Sequence, residues 1–172
     1  RRDSPGVALQ RIMSDFLTTY QLTRGRFDDA VKTLSQAQLN FRLHPDSLTI
    51  GEMALHVAGV EFFVLSQLLD KELDERQDRV RKCARDGALN DAAFPFASAE
   101  ITPELIEWAL SEGRALSEPA LKNITPELRA KENESALGPI IDGTGAFARL
   151  SYHPGYHQGQ IWMIKSAPDF PA

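Results

Sequence analysis

Cysteine is nearly absent from this chain, and its scarcity limits the chemistry open to the protein. Cys83 is the single cysteine among 172 residues, which excludes an internal disulfide framework and is typical of a reducing compartment such as the cytoplasm. Nearby basic residues would lower the pKa of the Cys83 thiol, but no histidine lies near it in sequence to act as a base. We therefore interpret Cys83 as an incidental free thiol and expect a cytoplasmic protein.

Long apolar runs and an excess of positive charge are also lacking. No segment approaches the roughly 18–20 apolar residues of a membrane span, and no signal-peptide pattern opens the chain, so we expect no membrane partner. The 19 basic residues are outnumbered by 24 acidic ones, which gives a formal net charge of −5. A general nucleic-acid binder needs a basic face, so we also expect no nucleic-acid partner. The one basic cluster, within residues 76–85, has no interleaved aromatic residues and is typical of a solvated surface.

The alternation of apolar and polar residues that indicates half-buried strands is missing, whereas helical periodicity recurs in four segments. The first segment begins at Ser4 and Pro5, a capping serine before a proline, and continues to Leu34. The second opens with Thr49 and Glu52, which have the spacing of a capping box. Its apolar face is so wide that we expect neighbours to cover it on more than one side.

The third helical segment opens at Thr102 and should end near Pro119, since proline is disfavoured inside a helix. A second Thr-Pro start signal follows at 125–126, and the glycine-containing stretch 136–145 predicts a loop before the fourth segment. Four amphipathic helices, with a long crossover over residues 71–101, predict an all-α four-helix bundle. A chain of this length is most simply one domain, residues 1–172.

Histidine is also rare, but two of the four histidines are four residues apart. His153 and His157 lie on the apolar stripe of the fourth predicted helix, where residues i and i+4 share a face with Cβ atoms roughly 5–6 Å apart. His56 lies in the apolar stretch of the second helix, and one inward histidine there can complete a site that the pair alone cannot. These three residues therefore form a candidate three-histidine metal site. His44, beside Pro45, is interpreted as an exposed loop residue.

The alternative for each histidine is an ordinary core position. A lone histidine on an apolar helix face is usually a satisfied core residue, and His56 alone would be interpreted in that way. Two partly buried histidines side by side, however, repel one another when protonated and need separate hydrogen-bond partners when neutral. A shared divalent ion removes both difficulties, and three imidazoles suit Zn, Ni, Fe and Cu alike. Pro154 should either kink the fourth helix or mark its beginning, which leaves an irregularity beside the proposed ligands.

Two carboxylates are candidates for supporting such a site. Glu52 lies one turn before His56, where it could orient a ligand or act as a base, although the capping box is the simpler role. Glu61 falls on the apolar stripe of the same helix, so it either reaches an exposed edge or has a polar partner inside. The sequence identifies no catalytic triad and no phosphate-binding loop, so the metal would carry the chemistry and the catalytic residues are unknown.

The run H-P-G-Y-H-Q-G-Q at 153–160, with His56 in L-H-V-A-G-V-E, resembles the DinB/YfiT superfamily of metal-binding four-helix bundles. The resemblance extends over essentially the whole chain in helix order and length. In that family a histidine of the second helix and an H-x-x-x-H pair on the fourth bind a divalent metal, which implies His56, His153 and His157 as ligands here.

The family pair is commonly followed by R-G-Q. Gly159 and Gln160 match the end of that motif, whereas Gln158 stands where arginine is common. The resemblance also implies an up-down-down-up bundle and a homodimer, and some relatives are S-transferases that use the thiols bacillithiol or mycothiol. Trp108 and Trp162 are large amphipathic side chains of the kind enriched at interfaces, which agrees with a dimer packed through helices.

These observations support three hypotheses about function. In the first, the protein is a metal-dependent enzyme: three imidazoles leave coordination positions open, where a small thiol or water would lose its proton and add to an electrophilic small molecule. In the second, the protein is a non-catalytic metal-binding or stress-response dimer, and in the third it is a structural dimer. A small-molecule cleft beside the histidines would favour the first hypothesis, and a closed or solvent-flush site the second.

Overall fold

The computed structural model describes the backbone of residues 5–172 and the side chains of residues 16–172. Within this part of the chain there are seven α-helices, α1 Pro5–Val31, α2 Gln36–Leu39, α3 Ile50–Leu68, α4 Glu75–Lys82, α5 Pro103–Lys122, α6 Pro126–Ala130 and α7 Gly143–Lys165. A short 3₁₀ turn, Ser98–Glu100, lies in the crossover, and β1 Glu132–Glu134 pairs with β2 Ile140–Asp142 in an antiparallel hairpin. The predicted Ser4 cap lies outside the described residues.

The four long helices, α1, α3, α5 and α7, form the bundle that the sequence predicts. α1 and α7 run parallel, because Ser151 Oγ donates to the carbonyl of Phe16 at 3.0 Å while Lys165 Nζ, further along α7, donates to the carbonyl of Ala30 at 3.4 Å. α3 runs antiparallel to α7, since its end near Gln67 contacts β1, which precedes α7 in the chain.

α3 and α5 run parallel to one another. Gly51, at the start of α3, packs against Ile101 just before α5, and Ala58 in the middle of α3 packs against Gly113 in the middle of α5. The order of directions along the chain is therefore up-down-down-up. In the described part of the chain, no helix is both long enough and apolar enough to cross a membrane.

α3 is the central helix of the bundle, and every residue in it except Ser66 and Gln67 is buried. Its predicted capping box is present: Thr49 Oγ1 accepts from the backbone N–H of Glu52 at 3.1 Å, and the Glu52 carboxylate accepts from the N–H of Thr49 at 2.8 Å. α5, α4 and α7 pack around α3, so the wide apolar face is covered on several sides as its composition predicts.

Two predicted boundaries are wrong. α5 continues past Pro119 to Lys122, because a proline in the last turn of a helix removes only one backbone hydrogen bond. Part of the loop predicted at 136–145 is occupied by β2 and by the first turn of α7. The hairpin is held from outside by Gln67, whose side-chain amide accepts from the N–H of Glu134 at 2.9 Å and donates to its carbonyl at 3.3 Å. Strands of three residues are too short for periodicity to reveal them.

Candidate metal centre

His56 on α3 and the pair His153 and His157 on α7 meet in the interior between these two helices. The ring centroid of His56 lies 5.0 Å from each of the other two, which are 4.5 Å from one another. One ring nitrogen of each histidine lies within 4.8 Å of the other two. The structure thus brings together the three histidines that the sequence singles out. The side chain of His44, by contrast, is 67% exposed, as predicted for a loop residue.

Hydrogen bonds determine which ring nitrogen of two of these histidines is free. His56 Nδ1 lies 2.8 Å from the backbone carbonyl of Cys83, and His157 Nδ1 lies 2.6 Å from the side-chain carbonyl oxygen of Gln160. A carbonyl oxygen only accepts hydrogen bonds, so in both rings Nδ1 carries the proton and Nε2 presents a bare lone pair. The lone pair of His157 Nε2 faces His153 Nε2 across 3.0 Å.

All three imidazoles are held in the neutral form. Burial lowers the pKa of His56, and burial together with the repulsion that would arise between protonated His56 and His157 lowers the pKa of His157 to about 4. The pKa of His153 falls well below its ordinary value because of desolvation and of the other two rings. Neutral imidazole is the form that binds metal ions, so the site does not have to lose protons near neutral pH before it can bind one.

The position of His56 depends on the close approach of α4 to α3. A Cβ atom at Gly59, three residues after His56, would lie 2.6 Å from the carbonyl oxygen of Val80 and 2.9 Å from the backbone nitrogen of Ala84. Only glycine therefore allows the end of α4 to lie so close to α3. This approach brings the carbonyl of Cys83 within hydrogen-bond distance of His56.

α7 continues through Pro154 as one helix, so the second alternative, that the helix begins at the proline, is wrong. The helix is supported from α1, where Thr23 Oγ1 donates to the carbonyl of Ser151 at 2.7 Å, in the turn before the proline. A Cβ atom at Gly155 would lie 3.0 Å from Thr23 Cγ2, so the glycine permits this contact. Because α7 stays helical here, His153 and His157 share the face that His56 approaches.

The donor set fits a divalent ion. One proton could bridge the two facing Nε2 atoms of His153 and His157, but nothing among the described residues donates to His56 Nε2. Three ring nitrogens within 4.8 Å of one another are within reach of a single ion that binds imidazole nitrogen at about 2.0–2.1 Å, after small side-chain rotations. Three imidazoles do not distinguish among Zn, Ni, Fe and Cu.

The histidines line one side of a cavity of about 580 Å³ that opens to the surface. Its walls come from α3, α7, the hairpin and the connections that precede α3 and follow α4. Apolar side chains of α3 and β2 cover the inner wall: Met53, Val60, Val64 and Ile141. A volume of this size accommodates a small organic molecule beside the ring nitrogens.

The two candidate carboxylates lie elsewhere. Both oxygens of Glu52 are engaged, one by Thr49 in the capping box and the other by Arg42 at 2.7 Å. Glu61 accepts hydrogen bonds from Tyr20 and Arg24 on α1. Among the described contacts neither carboxylate touches a histidine, and the groups that do orient the histidines are the Cys83 carbonyl and the Gln160 amide. Sequence reasoning missed the former because a backbone acceptor has no side-chain signature.

Two other sequence interpretations concern groups outside the cluster. Burial raises the pKa of the Cys83 thiol to about 12 and outweighs the lowering that the nearby basic residues predict, so the thiol stays protonated and is an unreactive buried cysteine. The basic cluster is largely neutralised: Arg79 pairs with Glu100, and Arg81 pairs with Asp78. This pairing agrees with a solvated surface rather than a phosphate-binding face.

Comparison with known proteins identifies the family of the chain. The profile of the DinB superfamily matches residues 19–161, which extends from α1 into α7 and includes His56, His153 and His157. No curated protein and no solved structure gave a significant match. The match covers most of the chain, and the up-down-down-up helices and the histidine cluster lie within it. This chain therefore belongs to the DinB superfamily.

Proposed function

We propose that this protein is a metal-dependent enzyme in which His56, His153 and His157 hold a divalent ion, with Zn, Ni or Fe as the candidates. Its reaction would add a small thiol, or water, to an electrophilic small molecule, as an S-transferase or a hydrolase does. The observation that carries this proposal is the opening of the histidine cluster into a cavity of about 580 Å³. A site that only stores or senses ions needs no such volume, so the cavity favours catalysis over the alternative of a non-catalytic metal-binding or stress-response dimer.

When bound, a divalent ion supplies Lewis acidity, which lowers the pKa of a thiol or of water toward neutrality. The chain contributes the orientation of the ligands, since the Cys83 carbonyl and the Gln160 amide hold two of the rings with Nε2 directed at the shared point. Gln160 is itself positioned by a hydrogen bond to the Tyr156 hydroxyl at 3.2 Å. The apolar inner wall of the cavity would exclude bulk water from the reacting group.

Metal analysis of protein purified without an affinity tag, followed by a screen of thiols and electrophiles, tests this function. We expect about one divalent ion per chain and metal-dependent consumption of a low-molecular-weight thiol or hydrolysis of an electrophile. Bound metal without any such reaction would favour the non-catalytic alternative. Protein that contains no divalent metal, and that binds neither Zn²⁺ nor Ni²⁺ in calorimetric titration, would overturn both.

We further propose that the protein is a single-domain cytoplasmic homodimer that acts on small molecules, without nucleic-acid or membrane partners. Trp162 supports helix-mediated dimerisation, since it is 65% exposed on α7. Trp108 offers weaker support, because it is partly buried and the Arg76 guanidinium covers its ring at 3.6 Å from the centroid. Light scattering that detects only monomer at micromolar concentration would contradict the dimer.

A further inference from the structure

Arg149 lies on α7 one helical turn before His153, and its side chain lines the same cavity. Residues 149, 153 and 157 are spaced by four, so they follow one another along one face, at a rise of roughly 6 Å for each step of four residues. A guanidinium carries a positive charge near neutral pH. The wall that carries the two histidines therefore also carries a permanent positive charge.

The charge of Arg149 has no carboxylate partner among the described residues. Its one hydrogen bond runs from Nη1 to the hydroxyl of Ser135 at 2.5 Å, which orients the guanidinium and leaves its other donors available. Arg85, close to the same hairpin, is neutralised by Glu134 at 3.0 Å. The acidic residue that lines the cavity is Asp46, whose side chain is 91% exposed and therefore screened by solvent.

The rest of the cavity is mainly apolar, and this character extends to its mouth. Large apolar or aromatic side chains that are exposed to solvent line it there: Leu89, Leu137, Tyr152 and Tyr156. Exposed apolar side chains concentrated around one opening are typical of a ligand-binding groove. The lining thus combines a continuous apolar surface with one oriented, uncompensated cation.

We propose that this cavity binds small molecules that combine an apolar body with a carboxylate. The carboxylate pairs with the free donors of Arg149, which match the planar geometry of a carboxylate. The apolar body lies against the inner wall and the mouth, and the remainder of the molecule lies next to the histidines. The inference deepens the proposed function and rests on it in one respect, namely that the cavity beside the histidines is the substrate site.

Binding of matched ligands to metal-free protein tests the proposal, because a carboxylate could otherwise bind the metal directly. The probes are 4-phenylbutyrate and its neutral analogue 4-phenylbutanamide, measured by calorimetry after treatment with a chelator. In the wild-type protein we expect the acid to bind at least about tenfold more tightly than the amide, since a charge-assisted pair is stronger than a neutral hydrogen bond. Arg149→Met should abolish this preference while leaving the affinity for the amide unchanged.

Two further variants control this measurement. Arg26→Met removes the same charge from an exposed position on α1 outside the cavity, and it should retain the full preference for the acid. Arg149→Lys keeps a cation without the planar fork, so it should retain a reduced preference. Equal binding of acid and amide to the wild-type protein would overturn the proposal whether or not Arg149→Met folds. A preference that persists in folded Arg149→Met would overturn it as well.

The outcome is separable from that of the proposed function. Equal binding of acid and amide to a wild-type protein that binds metal normally would refute only the carboxylate site and leave the metal-dependent enzyme standing. A preference for the acid in a protein that binds neither Zn²⁺ nor Ni²⁺ would refute the metal-dependent enzyme and leave the carboxylate site standing.

Discussion

Two clusters of buried polar side chains share α3, and they differ in how burial is compensated. In the ionic cluster, the Glu61 carboxylate accepts hydrogen bonds from the Tyr20 hydroxyl at 2.7 Å and from Arg24 Nε at 2.9 Å. Arg24 also donates to the carbonyl of Leu110 at 2.6 Å and pairs with Asp28, which in turn pairs with Arg114 at 2.6 Å. Positive and negative groups therefore alternate through α1, α3 and α5.

The histidine cluster, five residues earlier on α3, contains three groups of the same kind. Each of the three rings is neutral. At least two of them direct a nitrogen lone pair toward the same point, and the described residues offer no donor that serves both lone pairs. In the ionic cluster, burial and the Glu61 charge instead raise the pKa of Tyr20 well above its ordinary value, so that its hydroxyl remains a donor. Gly113 on α5 leaves the space that the Glu61 carboxylate occupies.

This difference distinguishes a buried polar cluster that stabilises the fold from one that is available for binding. Opposite charges that meet in a core neutralise one another, even though Glu61 Oε2 has no hydrogen-bond partner among the described residues. Like groups that converge on one point have no such internal compensation and are satisfied only by an added group. On this basis we infer that the ionic cluster stabilises the bundle and that the histidine cluster is the one able to bind a ligand. The following changes test that division, from the largest expected effect to the smallest.

Arg24→Met should cause the largest loss of stability. Removal of this fully buried guanidinium leaves the Glu61 carboxylate in the core without its cation, which costs about 3–5 kcal/mol of the free energy of unfolding. Chemical denaturation measures this loss. Metal affinity of the folded fraction should not change, because Arg24 does not contact a histidine. A variant as stable as the wild-type protein would show that the ionic cluster contributes little to the bundle.

His157→Ala should do the opposite of Arg24→Met and lower metal affinity more than stability. Metal affinity should fall by more than about a hundredfold, because losing a ligand costs more than the 10–100-fold cost of losing a group that orients a ligand. The stability of the metal-free protein should change little by comparison with Arg24→Met. The matched control is His44→Ala, which removes an exposed histidine and should leave Zn²⁺ and Ni²⁺ affinity unchanged. Equal affinities of the two variants in calorimetric titration would refute the three-histidine site.

Gln160→Ala should reduce metal affinity by about tenfold to a hundredfold, because the His157 ring loses the acceptor that fixes its tautomer. Gln158→Ala, two residues away, is the control, because among the described residues the Gln158 side chain neither hydrogen-bonds to a histidine nor lines the cavity. Calorimetry on both variants measures the difference. Identical affinities would mean that packing alone orients His157.

Acid should destabilise the metal-free protein through the histidine cluster. The unfolded chain binds a proton at each histidine below pH about 6.5, whereas folded His157 does so only near pH about 4. The stability contributed by neutral His157 is therefore complete above pH 6.5 and is lost as the pH falls toward 4. As the pH falls, the free energy of unfolding should decrease more steeply in the wild-type protein than in His157→Ala, by at most about 1.4 kcal/mol per pH unit. Parallel curves from denaturation at several pH values would contradict a buried neutral His157.

Much of the fold could be predicted because its signals are local. Thr49 and Glu52 form the capping box that their spacing predicts, Thr102 and Thr125 cap the helices that follow them, and α3 is buried as its composition indicates. The i, i+4 spacing of His153 and His157 places both on one face of α7. Pro119 and the hairpin were mispredicted because the first depends on its position within the last turn, and the second is held by Gln67 from a distant helix.

The sequence by itself therefore determined the helices, the histidine pair and the candidate third histidine, since caps, periodicity and spacing act within a few residues. Only the tertiary structure decided that Cys83 orients His56, that Glu61 belongs to an ionic cluster, and that Arg149 faces the cavity without a carboxylate partner among the described residues. Each of these depends on the packing of helices that are far apart in the chain. Helix packing depends on the shapes of whole helix faces, as in the close approach of α4 to Gly59 on α3. No local sequence pattern encodes it.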